Sequence, residues 1–131
     1  MKYQPFVEFY GLHFKNTVSV DTSLKYNAIE NGSFQVTEVY ATDGLNKKAG
    51  LVTLEDDRHF FPDYYGTFFV RNDALRRFPK LKKVLSQLNG QISNEDMVNM
   101  TYQVDVEGKS VDTVARNFLI KKGLISGEAW A

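Results

Sequence analysis

The stretch Phe34-Gln35-Val36-Thr37-Glu38-Val39-Tyr40-Ala41-Thr42-Asp43-Gly44-Leu45-Asn46-Lys47-Lys48-Ala49-Gly50-Leu51-Val52-Thr53-Leu54 carries the pattern that decides the fold class. Phe34 to Ala41 is rich in β-branched and aromatic residues and reads as a strand. Thr42, Asp43 and Gly44 are cap and turn residues, so they open a short helix, and Gly50 closes it as a C-terminal glycine does. Leu51 to Leu54 is then the next strand. Toward the N-terminus, Thr17-Val18-Ser19-Val20 reads as another strand. Asp21 is a suitable N-cap for a helix through Glu30 with Leu24, Tyr26 and Ala28 facing inward, and Asn31-Gly32 stops it. Strand, helix, strand, helix, strand with such short connections predicts the α/β class, with a short, mostly parallel sheet and flanking helices. Pro5 to Leu12 adds an aromatic helical turn with Phe6, Phe9 and Tyr10 on one side, ended by Gly11, and Gly66 to Val70 is one more extended segment.

Beyond Arg71 the pattern changes to helices. Asn72 or Asp73 caps a first turn. Pro79 stands where a helix over Lys80 to Leu88 can begin, and Asn89-Gly90 ends it. Ser93-Asn94-Glu95-Asp96 is a capping-box pattern ahead of Met97, Met100, Thr101 and Val104, at helical spacing. Ser110 caps a final helix whose inward stripe is Val111, Val114, Ala115, Phe118 and Leu119, with Lys121-Lys122-Gly123 at its end. A thin sheet followed by such helices has few residues to cover its second face, so the chain reads as incomplete.

Composition narrows the function classes. The chain has 131 residues, enough for one domain with a core, and its 43% hydrophobic and 24% charged residues are globular values. Its 16 basic and 16 acidic residues balance, which gives no general electrostatic reason to bind nucleic acid or an anionic membrane. Cysteine is absent, so disulfide and thiolate chemistry are excluded. No apolar run approaches a membrane span of roughly 20 residues, and Met1-Lys2 leads into Tyr3-Gln4-Pro5 without a signal-like apolar stretch. There is no Gly-rich phosphate loop and no nucleophile elbow. Glu55-Asp56-Asp57-Arg58-His59 is the one cluster that could suggest metal or acid–base chemistry. Adjacent loop residues point in different directions, however, and only His13 remains as a second histidine, so a solvated loop is expected there, with no metal and no catalytic residues.

Val39-Tyr40-Ala41-Thr42-Asp43-Gly44, followed by Leu54-Glu55-Asp56-Asp57-Arg58-His59-Phe60-Phe61-Pro62-Asp63-Tyr64, resembles the substrate-binding proteins of osmoprotectant ABC transporters. Their pattern here is a strand, Tyr-Ser/Thr-Thr-Asp-Gly, a helix, then Leu-x-Asp-Asp-x-x-Phe-Phe-Pro-Pro-Tyr. The similarity continues through Tyr10-Gly11-Leu12, Phe78-Pro79, Leu88-Asn89-Gly90, Tyr102-Gln103-Val104-Asp105 and Lys121-Lys122-Gly123-Leu124, and so covers nearly the whole chain.

The resemblance implies part of a type II periplasmic-binding-protein fold. Residues 1–65 would belong to ligand-binding lobe two. Residues 66–131 would cross the hinge and supply C-terminal helices that pack on lobe one of a longer parent, in which Met1 is not the natural start. It implies a non-enzymatic function: binding glycine betaine, carnitine or choline between two lobes for an ABC permease, outside the cytoplasm, tethered or fused through a part not in this chain. No cofactor is implied, and self-association of the fragment is expected. A sensor or interaction module on the same fold, or an enzyme using the acidic loop 55–59, are the alternatives.

The chemistry fits aromatic residues. A trimethylammonium group has no N–H to donate and is large and weakly hydrated, so the faces of several aromatic rings are its natural host. Tyr40, at the C-terminal end of its strand, and Tyr64 match tyrosines of the family's ligand cage. Tyr65 competes with Tyr64, because Asp63-Tyr64-Tyr65 replaces the usual Pro-Tyr pair. Thr42 and Asp43 could present helix N–H groups to a ligand carboxylate, or simply cap the helix.

Overall fold

The computed structural model describes residues 3–127; Met1, whose standing as a start the resemblance puts in question, lies outside them. Seven helices are formed among the described residues: α1 (Tyr3–Tyr10), α2 (Thr22–Glu30), α3 (Gly44–Lys48), α4 (Asn72–Arg77), α5 (Leu81–Ser86), α6 (Asn94–Asp105) and α7 (Val111–Lys121). The chain divides into two compact units, residues 3–37 with 53–66, and residues 38–52 with 67–127.

The helix punctuation follows local chemistry. The Asp43 carboxylate accepts the Leu45 N–H at 3.0 Å and caps α3. Ser93 and Asp96 form a reciprocal capping box at the start of α6, with Asp96 N–H to Ser93 Oγ at 3.0 Å and Ser93 N–H to Asp96 Oδ2 at 3.2 Å. Ser110 Oγ accepts the Thr113 N–H at 3.2 Å and caps α7. Gly11 and Gly50, which follow α1 and α3, have φ of 68° and 64°, the left-handed conformation that a helix-ending glycine adopts without a Cβ penalty. Four details depart from the sequence pattern. Asp21 precedes α2 without a side-chain cap, and Arg71 rather than Asn72 or Asp73 stands at the N-cap of α4. On α2 the buried residues are Lys25 and Tyr26, while Leu24, expected inward, is exposed. On α7 Val111 and Ala115, also expected inward, are exposed.

The sheet expected from 17–20, 34–41, 51–54 and 66–70 is not formed among the described residues, where no strand pairing occurs. A strand is defined by its neighbour: extended β-branched sequence supplies the conformation, but a ladder needs a second chain segment about 4.8 Å away. These segments run without regular structure instead.

The first unit is held by aromatic packing. Phe6, Phe9 and Tyr10 of α1 meet Phe60 and Phe61, with ring centroids 5.5 Å apart for Phe6 and Phe60 and 5.2 Å for Phe9 and Phe60. The second unit is centred on α6, which packs against both α3 and α7. Val114 and Phe118 of α7 are buried there. Lys122 extends from the end of α7 to Asp96 at the start of α6, at 3.2 Å.

Candidate functional site

Tyr40 ends a segment without regular structure, at a turn whose backbone is fixed from two sides. Its carbonyl oxygen accepts the Asp43 N–H at 3.1 Å and the Asn46 Nδ2–H at 2.8 Å. Asn46 is buried, so this amide is a rigid donor. The next residues are anchored on α6. The Thr101 hydroxyl lies 3.1 Å from the Thr42 carbonyl oxygen and 3.0 Å from the Met97 carbonyl in its own helix. Gly44 abuts the Tyr102 backbone so closely that a Cβ there would stand 2.3 Å from the Tyr102 nitrogen. The Lys47 ammonium completes the contact at 5.2 Å from the centre of the Tyr102 ring.

Tyr40 itself is 65% exposed. A rigid backbone carrying an open aromatic face is what a desolvating cationic ligand requires, since the protein then loses little conformational entropy on binding. Thr42 and Asp43 share the turn with Tyr40, and both are engaged in it: Thr42 through its carbonyl to Thr101, Asp43 through its carboxylate to the first turn of α3. A carboxylate already sits at the α3 N-terminus, where it would repel a ligand carboxylate. The capping alternative is the one the geometry favours.

Tyr64 and Tyr65 belong to the other unit. Both rings are exposed, Tyr64 to 79%, and the Tyr65 hydroxyl donates to Asp63 Oδ2 at 3.3 Å. They lie in a segment without helix or strand that follows Phe60 and Phe61. The structure therefore groups the five candidate residues as Tyr40, Thr42 and Asp43 on one turn, and Tyr64 and Tyr65 on one loop.

The acidic cluster ahead of that loop is better organised than its sequence suggested. Asp56 is half-buried and accepts the Tyr10 hydroxyl together with the N–H groups of Phe60, at 2.9 Å, and Phe61, at 2.8 Å. Partial desolvation works to raise the Asp56 pKa. The hydrogen bonds from Tyr10, Phe61 and Phe60 and the nearby His59 outweigh it, so the carboxyl is held below its ordinary value. The Tyr10 hydroxyl is pushed up, by desolvation first and by its bond to Asp56 second. Arg58 donates to the Phe9 carbonyl at 2.6 Å and lies 4.5 Å from the centre of the Phe9 ring. Among the described residues no three His, Asp or Glu side chains converge as metal ligands. Asn46, Thr101 and Asp56 were missed as supporting residues; only their proximity in space reveals them.

The family described as the substrate-binding domain of ABC-type glycine betaine transport systems matches residues 2–121. The chain belongs to this family. The family serves transport and is not one of enzymes; its substrate-binding proteins work outside the cytoplasm, bind small ligands and act with a permease. Among curated relatives, the ergothioneine transport permease/ergothioneine binding protein EgtU of Helicobacter pylori (strain G27) is 34% identical over 88% of the chain and 21% of that protein. The carnitine transport binding protein OpuCC of Listeria monocytogenes serotype 1/2a (strain 10403S) is 32% identical over 96% of the chain and 41% of its own length. A crystal structure described as a glycine betaine/carnitine/choline ABC transporter superposes with a TM-score of 0.79 at 34% identity, covering 93% of this chain and 44% of that one. The chain thus shares the periplasmic-binding-protein fold over its matched length, and spans less than half of each of these relatives. Among the described residues no helix is long and apolar enough to cross a membrane.

Proposed function

We propose that this chain is part of the substrate-binding component of an ABC importer for quaternary-ammonium solutes, and that Tyr40 and Tyr64, with Tyr65 beside it, belong to the aromatic cage that holds the ligand. Glycine betaine, carnitine, choline and ergothioneine, the solutes named by the similar proteins, all carry a trimethylammonium group. One recognition chemistry serves them all: aromatic faces, each desolvated contact worth about 2 kcal/mol. The observation that carries the reading is Tyr40, whose backbone is pinned by Asp43 and Asn46 while its side chain stays exposed. Thr42 and Asp43 hold the turn that presents it.

On this reading residues 1–65 contribute to lobe two, and 66–131 to the hinge crossing and the helices that pack on lobe one. The segments at 17–20, 34–41, 51–54 and 66–70 are then strands of a type II, mostly parallel sheet completed by the remaining length of the parent, which works outside the cytoplasm and is tethered or fused through a part not in this chain. Calorimetry of the whole protein against these four solutes tests the proposal, with at least one expected to bind. Binding of an unrelated solute with no response to any quaternary amine would refute it. The 131-residue chain alone is expected to bind more weakly than millimolar, because it supplies only part of the cage.

A further inference from the structure

In the unit formed by residues 3–37 and 53–66, three donors from two segments converge on one carboxylate. Asp56 Oδ1 accepts the Tyr10 hydroxyl from α1 and the Phe60 N–H, and its Oδ2 accepts the Phe61 N–H. The Asp56 carbonyl also accepts the His59 N–H at 3.1 Å, and His59 has φ 55°, a left-handed conformation uncommon outside glycine, which turns the chain back toward Asp56. Phe60 and Phe61 are thereby laid against α1, and Pro62–Gly66, which carry no helix or strand, leave from that point. Only a carboxylate answers this arrangement with two acceptor oxygens and no hydrogen of its own; the amide of asparagine would set an N–H against one of the donors.

We propose that Asp56 is a positioning residue: by tying α1 to Phe60 and Phe61 it fixes the direction in which Pro62–Gly66 leave, and with it the placement of the Tyr64 and Tyr65 rings. That those rings meet a ligand rests on the function proposed above; that Asp56 places them does not. Arg58 adds a second tie at the same junction, donating to the Phe9 carbonyl near the end of α1. The aromatic cluster supplies cohesion, which is tolerant of small rotations, whereas three hydrogen bonds to one carboxylate specify a direction.

The test is amide NMR of the 131-residue chain, with no ligand present, on Asp56→Asn and Tyr10→Phe. Asp56→Asn is expected to speed exchange of the Phe60 and Phe61 amides by about tenfold or more and to shift the resonances of residues 62–66, while α2 keeps its wild-type spectrum. Tyr10→Phe keeps the ring and removes one donor, so it should move the same resonances in the same direction by less. If Asp56→Asn unfolds this unit, Tyr10→Phe decides alone. Unchanged resonances at 62–66, or changes spread evenly through α1 and α2, would overturn the proposal. Because no ligand enters, this outcome is independent of the calorimetry that tests the function.

Discussion

At Tyr40 the backbone and the side chain have separate duties, and a mutation can address one without the other. The carbonyl is held by Asp43 and Asn46, while the ring contributes little to packing. Tyr40→Ala is therefore expected to change folding stability by no more than about 0.5 kcal/mol, the range for exposed positions. In the whole protein it should weaken binding of a quaternary amine by about 30-fold, the equivalent of one desolvated cation–aromatic contact. Tyr40→Phe keeps the aromatic face and should stay within about threefold of wild type. Melting curves and calorimetry on the two variants check both halves; equal loss of affinity in Tyr40→Phe and Tyr40→Ala would show that the hydroxyl, not the ring, matters. The tyrosines stand out in the sequence as candidates because an expected strand end and a long motif mark them. Asp56 was not: a carboxylate in the run Glu55-Asp56-Asp57 is indistinguishable from its neighbours until Tyr10, 46 positions earlier, is brought to it.

Among the elements, α3 against α6 is the contact on which the Tyr40 turn depends, and Gly44 is its closest point. A methyl group there would overlap the Tyr102 backbone, which cannot yield as a flexible side chain would. Gly44→Ala should cost roughly 1–3 kcal/mol, as overpacking does, measured by urea denaturation. The start of α6 gives a second test through pH. Asp96 is held below its ordinary pKa by the Ser93 N–H first and by Lys122 next, against a smaller desolvation effect. The ionised form is thus the one the folded state favours. Its contribution is complete above the ordinary carboxylate pKa of about 3.9 and is lost as the pH falls below it. Asp96→Asn should lower stability at pH 7 and leave a shallower decline between about pH 5 and pH 2 than wild type, read from urea midpoints; a parallel decline would contradict the assignment. Helices were legible at this scale because caps and glycines act within one turn. The pairing of the expected strands was not, because Val18, Val36 and Val52 favour a strand without saying what lies beside it.

For the chain as a whole, burial is the quantity that stands out. Val7, Tyr26, Val114 and Phe118 are the apolar side chains buried among the described residues, while Phe69 is 97% and Val52 85% exposed. The chain spans about two fifths of its Listeria relative and 44% of the similar solved chain, so much of the surface such a fold would cover has no counterpart in these residues. Exposed aromatic and β-branched side chains on the expected strand segments supply a driving force for association. The 131-residue chain in isolation is therefore expected to sediment as dimers or larger species at high concentration and to bind a hydrophobic dye. Replacing Val52 and Phe69 by lysine should shift the distribution toward monomer, because a charge on an exposed apolar surface opposes its burial against another chain. A sharp monomer boundary for the unmodified chain at every concentration would mean that these residues find partners within the chain itself, and that the extended segments do not need another polypeptide.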